Sequence, residues 1–411
     1  MQEETKKATK NTSMLYLLNI AKMIFPLVTL PYLTRALTVE CYAIVAYVKA
    51  VMQYAQIVLM FGFGLSATKD IVNAAEDKRE IGAITGSVLE AKGILSAITA
   101  VILFVLTIAI PLLRENPAYT TLAFINIVIT EMLADFLFRG IDKMEIITIR
   151  FVASKLVSTL LTFVFIKNDN HVLLIPLFDI LGSVVALVLV LIEIRKMGII
   201  VTKMPLSDAL NRLKESAVYF VSDMATTAFG ALNTLLVGIF VSKTDVSYWS
   251  LCMQLISAVQ SLYTPITNGI YPSMVRTKSL KFLKKILLIF MPIVVIGCII
   301  CVLLSSFIVT LIGGSQYTAA APVFRTLIPV LLFSFPGMLL GWPALGPIGK
   351  QKDTTMTTII TAIFQICGLG VLIITEKFDL INIAILRGIT EGLMMLLRGG
   401  LCMKYRNEFV N

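Results

Sequence analysis

Residues 13–68 open the chain with two long apolar runs, SMLYLLNIAKMIFPLVTLPYLTRAL and CYAIVAYVKAVMQYAQIVLMFGFGL, separated by a short break. A helix of ~20 residues crosses the ~30 Å of hydrocarbon in a bilayer, so each run is long enough to span one. Each also carries a lysine where a lipid-facing helix should have none. Lys22 lies about ten residues, roughly 15 Å, inside the first run, and Lys49 lies at similar depth in the second. Both are beyond easy reach of an interface.

Helical spacing makes each lysine part of a stripe. Lys49, Gln53 and Gln56 fall at i, i+4 and i+7 and share one face. Asn19, Lys22, Pro26 and Thr29 do the same in the first run. A polar stripe in lipid costs several kcal/mol unless it meets water, protein or ligand. The two stripes therefore predict the walls of a buried cationic cavity. The alternative is that acids elsewhere pair with both lysines and only hold helices together.

Composition extends this reading to the whole chain. Of 411 residues 57% are hydrophobic and 15% charged, with a mean hydropathy of +0.89. Soluble domains carry about 25% charged residues. The fold class is an all-α integral membrane protein. Further spans are expected at about 84–111, 119–138, 146–166, 172–194, 215–240, 247–272, 286–312, 322–345, 354–375 and 380–401, for about twelve transmembrane helices. The links are short, which leaves no room for a soluble catalytic domain. The longest, RKMGIIVTKMPLSDALNRLK, divides the chain into an N-terminal six-helix bundle (1–196), a cytoplasmic linker (197–214) and a C-terminal six-helix bundle (215–411).

The net charge of +10 would suit nucleic acid, but its distribution points elsewhere. With the termini and every even-numbered link on one side, that side holds 24 lysines and arginines against 5 on the other. This bias predicts cytoplasmic termini and excludes a nucleic-acid partner as the reason for the charge. Cys298 and Cys301 form a CxxC inside an apolar run with no histidine near, so no metal or cofactor is expected.

A faint internal repeat lays TVECYAIVAYVKAVMQYAQ over KTDVSYWSLCMQLISAVQS at an offset of about 205. Lys49 then falls on Gln254 and Gln56 on Ser261. The eighth span has its own stripe of Ser250, Gln254, Ser257, Ser261 and Asn268, and the seventh has Asp223, Thr227, Gly230 and Thr234.

Several stretches together carry a family resemblance: VTLPYLTRAL (28–37), GFGLSATKDI (62–71), FRGIDKM (138–144), NTLLVGIF (233–240), GIYPSMVR (269–276), LIGGSQYTAAAPVFRTL (311–327) and ALGPIGKQKDTT (344–355). In their order and spacing the chain resembles a polysaccharide (O-antigen-type) flippase of the multidrug/oligosaccharidyl-lipid/polysaccharide exporter superfamily. The resemblance implies two six-helix bundles arranged as a V around a central cavity, with alternating access. It further implies transport of undecaprenyl-diphosphate-linked oligosaccharide across a bacterial inner membrane, with membrane lipid and other polysaccharide-assembly proteins as partners. The chain would be a transporter and not an enzyme.

The expected binding residues of the cationic cavity are Lys22, Lys49, Gln53, Gln56, Lys155, Gln254 and Arg325. Tyr16, Tyr42, Tyr47 and Tyr54 are placed either to stack on sugar rings or to pack and anchor helices. Asp179, Asp223 and Glu131 are candidates for ion coupling, since buried carboxylates need a proton or a cation. Asp179 and Asp223 equally suit counter-charges to Lys22 or Lys49. Glu131 is expected to pair with Lys155, Asp135 with Arg139, and Arg387 with Glu391. Two rival functions remain: a cation-coupled multidrug exporter of the same superfamily, which would want an acidic cavity, and a membrane-embedded polysaccharide enzyme, which would want a long outer loop or an intramembrane histidine.

Overall fold

A computed structural model describes residues 2–74 and 77–410, with side chains described outside 2–10, 12, 221–223 and 225–231. These residues are helical apart from short links and one isolated backbone bridge between Ser279 and Val410. Among them, ten stretches are long and apolar enough to cross a membrane. The chain is a multi-pass, all-helical membrane protein, as expected. The ten account for every expected span except the seventh and the eighth. The seventh includes residues outside the description. In the eighth, Ser250, Gln254, Ser257 and Ser261 lower the hydropathy.

Two compact units divide the chain, Met1–Leu235 and Leu236–Asn411. The first contains α1 (Gln2–Ala36), α2 (Val39–Met60), α3 (Phe63–Asn73), α4 (Lys78–Ala109), α5 (Pro117–Glu131), α6 (Asp135–Gly140), α7 (Met144–Phe165), α8 (Leu174–Lys196) and most of α9 (Leu206–Phe240). Its packing runs α1 on α7, α7 on α8, α8 on α5 and α5 on α2. That ring sets the walls of the site described below.

Two spans of this unit are interrupted. The second breaks at Phe61 and Gly62, both with positive φ (40° and 73°). Glycine is required there twice over. Its φ is costly for other residues, and α9 passes so close that an added Cβ would lie 2.5 Å from Cβ of Tyr219. The fourth span breaks between α5 and α6, where Ala134 has a φ of 49°.

The link after α8 is not a free tether. Residues 199–204 run along the start of α4, where Thr202 N–H reaches Gly82 O (3.4 Å) and Met204 N–H reaches Glu90 Oε1 (3.0 Å). The carbonyls of Ile200 and Thr202 occupy the space that a Cβ on Gly82 and Gly86 would need. Helix resumes at Leu206, ahead of the expected start of the seventh span near Glu215. Arg212 then pairs with Asp70, and Ser216 Oγ lies 2.7 Å from Ser66 Oγ, which fixes the start of α9 on α3.

The second unit contains α10 (Lys243–Ser261), α11 (Tyr263–Thr277), α12 (Leu280–Leu303), α13 (Ser305–Gly313), α14 (Ala321–Leu340), α15 (Gln351–Ile374) and α16 (Leu380–Lys404). Its centre is α14 against α16, with α15 beside them. Here the interruptions fall in the second, third and fourth spans of the half, at Leu262, Leu304 and Gly341. Thr38 and Ser242, one in each half, cap the equivalent helices α2 and α10 with side-chain oxygens. The faint repeat in sequence is echoed by these caps and by the breaks in the second and fourth spans, while the break at Leu304 has no counterpart within α4 of the first half.

Candidate functional site

The two lysine stripes, apart from Asn19, line one cavity of about 360 Å³ inside the first unit. α1 presents Lys22, Pro26 and Thr29 to it, and α2 presents Lys49, Gln53 and Gln56. α5 adds Tyr119 and Asn126, and α8 adds Asp179. α7 adds Phe151, then Lys155, Ser158, Thr159 and Thr162 at helical spacing. Local sequence explains part of this shape. Pro26 has no N–H to offer the Lys22 carbonyl one turn earlier, which weakens α1 beside the cavity. The Thr29 hydroxyl donates to Phe25 O (2.8 Å) one turn earlier, a back-bond that also tends to bend a helix.

Positive charge dominates the lining. Lys22, Lys49 and Lys155 face a single carboxylate, Asp179. Neither Lys22 nor Lys49 has an ion-pair partner among the described residues. Lys22 Nζ sits 5.8 Å from the centroid of the Phe151 ring, a cation–π contact.

The acids find other partners than the expected ones. Asp179 takes Lys155 (Nζ–Oδ1 3.1 Å) and the Ser158 hydroxyl (2.7 Å), so it does not pair with Lys22 or Lys49. Glu131 pairs not with Lys155 but with Lys92 of α4, at 2.9 Å. Lys92 also donates to the Glu131 backbone carbonyl (2.8 Å) at the end of α5, where a cation opposes the helix dipole. Gln56, on the cavity wall, donates to the other oxygen of Glu131 (3.1 Å). Asp135 pairs with Arg150 of α7 and not with Arg139. The broken fourth span is thus held by one charge pair just before the break and another just after it. The expected pair Arg387–Glu391 is present at 2.5 Å.

The remaining expected residues lie elsewhere. Gln254 and Arg325 belong to the second unit. Gln254 Nε2 lies 3.4 Å from Ser250 Oγ, and Arg325 donates to Ser305 Oγ (2.9 Å). Asp223 lies outside the described residues. Tyr42 and Tyr47 are core residues, Tyr47 with its hydroxyl on Leu235 O (3.4 Å), and none of the four expected tyrosines lines the cavity. The aromatics that do line it, Phe25, Tyr119 and Phe151, were not singled out from sequence. Nor were Asn126 and the Ser158, Thr159 and Thr162 row; the i, i+3, i+4, i+7 spacing of that row from Lys155 was the available signal.

Chemically the cavity suits an anion with a hydroxyl-rich neighbour. Lysines supply charge, and Asn126, Gln53 and the α7 hydroxyls supply neutral donors and acceptors. No group of three or more histidine, cysteine, aspartate and glutamate side chains that could hold a metal is present among the described residues.

A family model described as polysaccharide biosynthesis protein matches residues 8–278. A Shigella dysenteriae protein described as "Putative O-antigen transporter" is 25% identical over 365 residues, 87% of this chain and 91% of that protein. Among solved structures, the lipid II flippase MurJ in an inward closed conformation superposes with a TM-score of 0.73 at 12% identity, over 97% of this chain and 87% of that one. An inward-facing multidrug resistance MATE family transporter of the MOP superfamily gives 0.68 at 15% identity, over 95% and 94%. At such identities the two structures speak for the fold alone.

Proposed function

Because the chain belongs to the polysaccharide biosynthesis protein family, we propose that it is a flippase for undecaprenyl-diphosphate-linked oligosaccharide, the repeat unit of an O-antigen or another surface polysaccharide. The observation that carries this reading is the cavity in which three lysines meet one aspartate. A diphosphate crossing ~30 Å of hydrocarbon needs counter-charge along the way, because an isolated ion there is prohibitively costly. The lysines supply that charge, while the neutral polar side chains beside them suit a sugar. The chain is a carrier and not an enzyme. A cationic drug is the wrong cargo for this lining, which sets the multidrug reading second.

In this reading the protein sits in the bacterial inner membrane with both termini cytoplasmic. Its two six-helix halves are joined through residues 197–214, and the protein opens its substrate site to one side of the membrane at a time. Lys22, Lys49, Gln53, Gln56 and Lys155 bind the substrate from the first half, and Gln254 and Arg325 serve from the second. Asp179 and Asp223 are the candidate ion-coupling carboxylates. Glu131, sealed against Lys92, serves the fold. Membrane lipid and other polysaccharide-assembly proteins are the natural partners.

Two experiments test it. Depleting the protein should deplete surface glycan while lipid-linked repeat units accumulate, as read by glycan gels and lipid extraction; unchanged surface glycan would refute the reading. For topology, reporter fusions after Arg114, Lys167 and Lys243 should report outside, and those after Lys78, Lys203 and Lys281 inside, following the charge bias. An outside signal at Lys203 would contradict the arrangement in two halves.

A further inference from the structure

The first unit contains two lysine–carboxylate pairs of the same chemistry in different surroundings. Lys92 and Glu131 are sealed, with side chains 5% and 10% exposed. Such a pair cannot part without stranding a buried charge. Lys155 and Asp179 stand on the cavity wall, 38% and 30% exposed. That pair can exchange partners without either group losing solvation.

The bonding of Asp179 fits such an exchange. Both its contacts, Lys155 Nζ and Ser158 Oγ, converge on Oδ1. Asp179 is the one acidic side chain in a lining with three lysines, so with all four groups ionised the wall carries a charge of +2. A diphosphate esterified at both ends carries one negative charge on each phosphate, two in all. Wall and cargo then match in charge.

We propose that Asp179 is a displaceable counter-ion that sets how tightly the cavity holds its anion. It neutralises Lys155 while the cavity is empty. The diphosphate takes over Lys155 on entry, and the carboxylate reclaims it on exit. Removing its charge leaves a wall of +3, which holds a dianion too firmly to let it go. This role rests on the flippase reading and, in place of ion coupling, makes Lys155 the cation that Asp179 binds, which leaves Asp223 as the ion-coupling candidate.

The test uses the full chain in lipid nanodiscs, with an undecaprenyl-diphosphate-linked sugar, esterified at both ends of the diphosphate, as probe and uncharged undecaprenol as control. Wild type should prefer the diphosphate. Asp179→Asn should bind it roughly tenfold tighter, a change of about 1.4 kcal/mol, yet export surface glycan more slowly. Asp179→Glu should restore both values towards wild type. Asp179→Ser, a second neutral replacement, should behave as Asn does and covers the case in which the amide disturbs folding. Equal or weaker diphosphate binding by the neutral variants would overturn the counter-ion role and leave the flippase reading intact. Failure of wild type to prefer the diphosphate would overturn both.

Discussion

Replacing Lys22 and Lys49 together by alanine is expected to cut surface-glycan export by more than about a hundredfold while the protein stays folded and inserted. A hydrogen bond to a charged group contributes about 1.5–3 kcal/mol, so losing two costs about 3–6 kcal/mol, and each 1.4 kcal/mol is a factor of about ten. Folding should survive because neither lysine has a carboxylate partner among the described residues, so no orphaned acid is left behind. Lys22→Arg and Lys49→Arg should each retain part of the activity, since the demand is for charge before geometry. Lys281→Ala, at the exposed start of α12, serves as the control that keeps full export. Surface polysaccharide on gels, normalised to protein level by blot, gives the readout. Normal export by the double variant would return both lysines to the role of structural cations.

The second large effect concerns stability. Lys92→Ala should cost about 3–5 kcal/mol, because it strands the Glu131 carboxylate in a sealed interior. It also removes the cation that caps the end of α5. Glu131→Ala should cost a similar amount by stranding Lys92. The double variant Lys92→Met, Glu131→Gln should recover most of the loss, since no charge is then left unpaired. Thermal unfolding of detergent-purified protein measures this, with export of the surviving fraction recorded beside it. A Lys92→Ala protein with the melting temperature of wild type would remove the pair from the forces that hold the fourth span.

What could be read from sequence, and what could not, divides along a physical line. The stripes Lys22–Pro26–Thr29 and Lys49–Gln53–Gln56 were legible because each lies on one helix, where spacing alone fixes the face. Arg387–Glu391 was legible for the same reason, but the same spacing misled at Asp135 and Arg139, where Arg150 of α7 takes the aspartate. Partners on different helices were not legible. Glu131 was expected to reach Lys155 on the next span, but α4 supplies Lys92, and only the packing of α4, α5, α7 and α8 decides between them. Interruptions divide in the same way. Gly62 offered a signal within FGFG. Met132, Leu133 and Ala134 contain no glycine or proline, and the break there is held by the charge pairs on either side of it. The helical lead-in to the seventh span, from Leu206, was not legible because the polar run after Pro205 reads as a loop, whereas Arg212 and Ser216 are bonded to α3.

The most direct test of the central claim is transport by the purified protein. Reconstituted vesicles would carry undecaprenyl-diphosphate-linked oligosaccharide with its sugar labelled on one leaflet, and arrival at the other leaflet would be followed by a membrane-impermeant glycosidase. Vesicles with wild-type protein should transfer the lipid far faster than protein-free vesicles, and the Lys22→Ala, Lys49→Ala protein should not exceed that background. Equal rates for wild-type and protein-free vesicles would contradict the account.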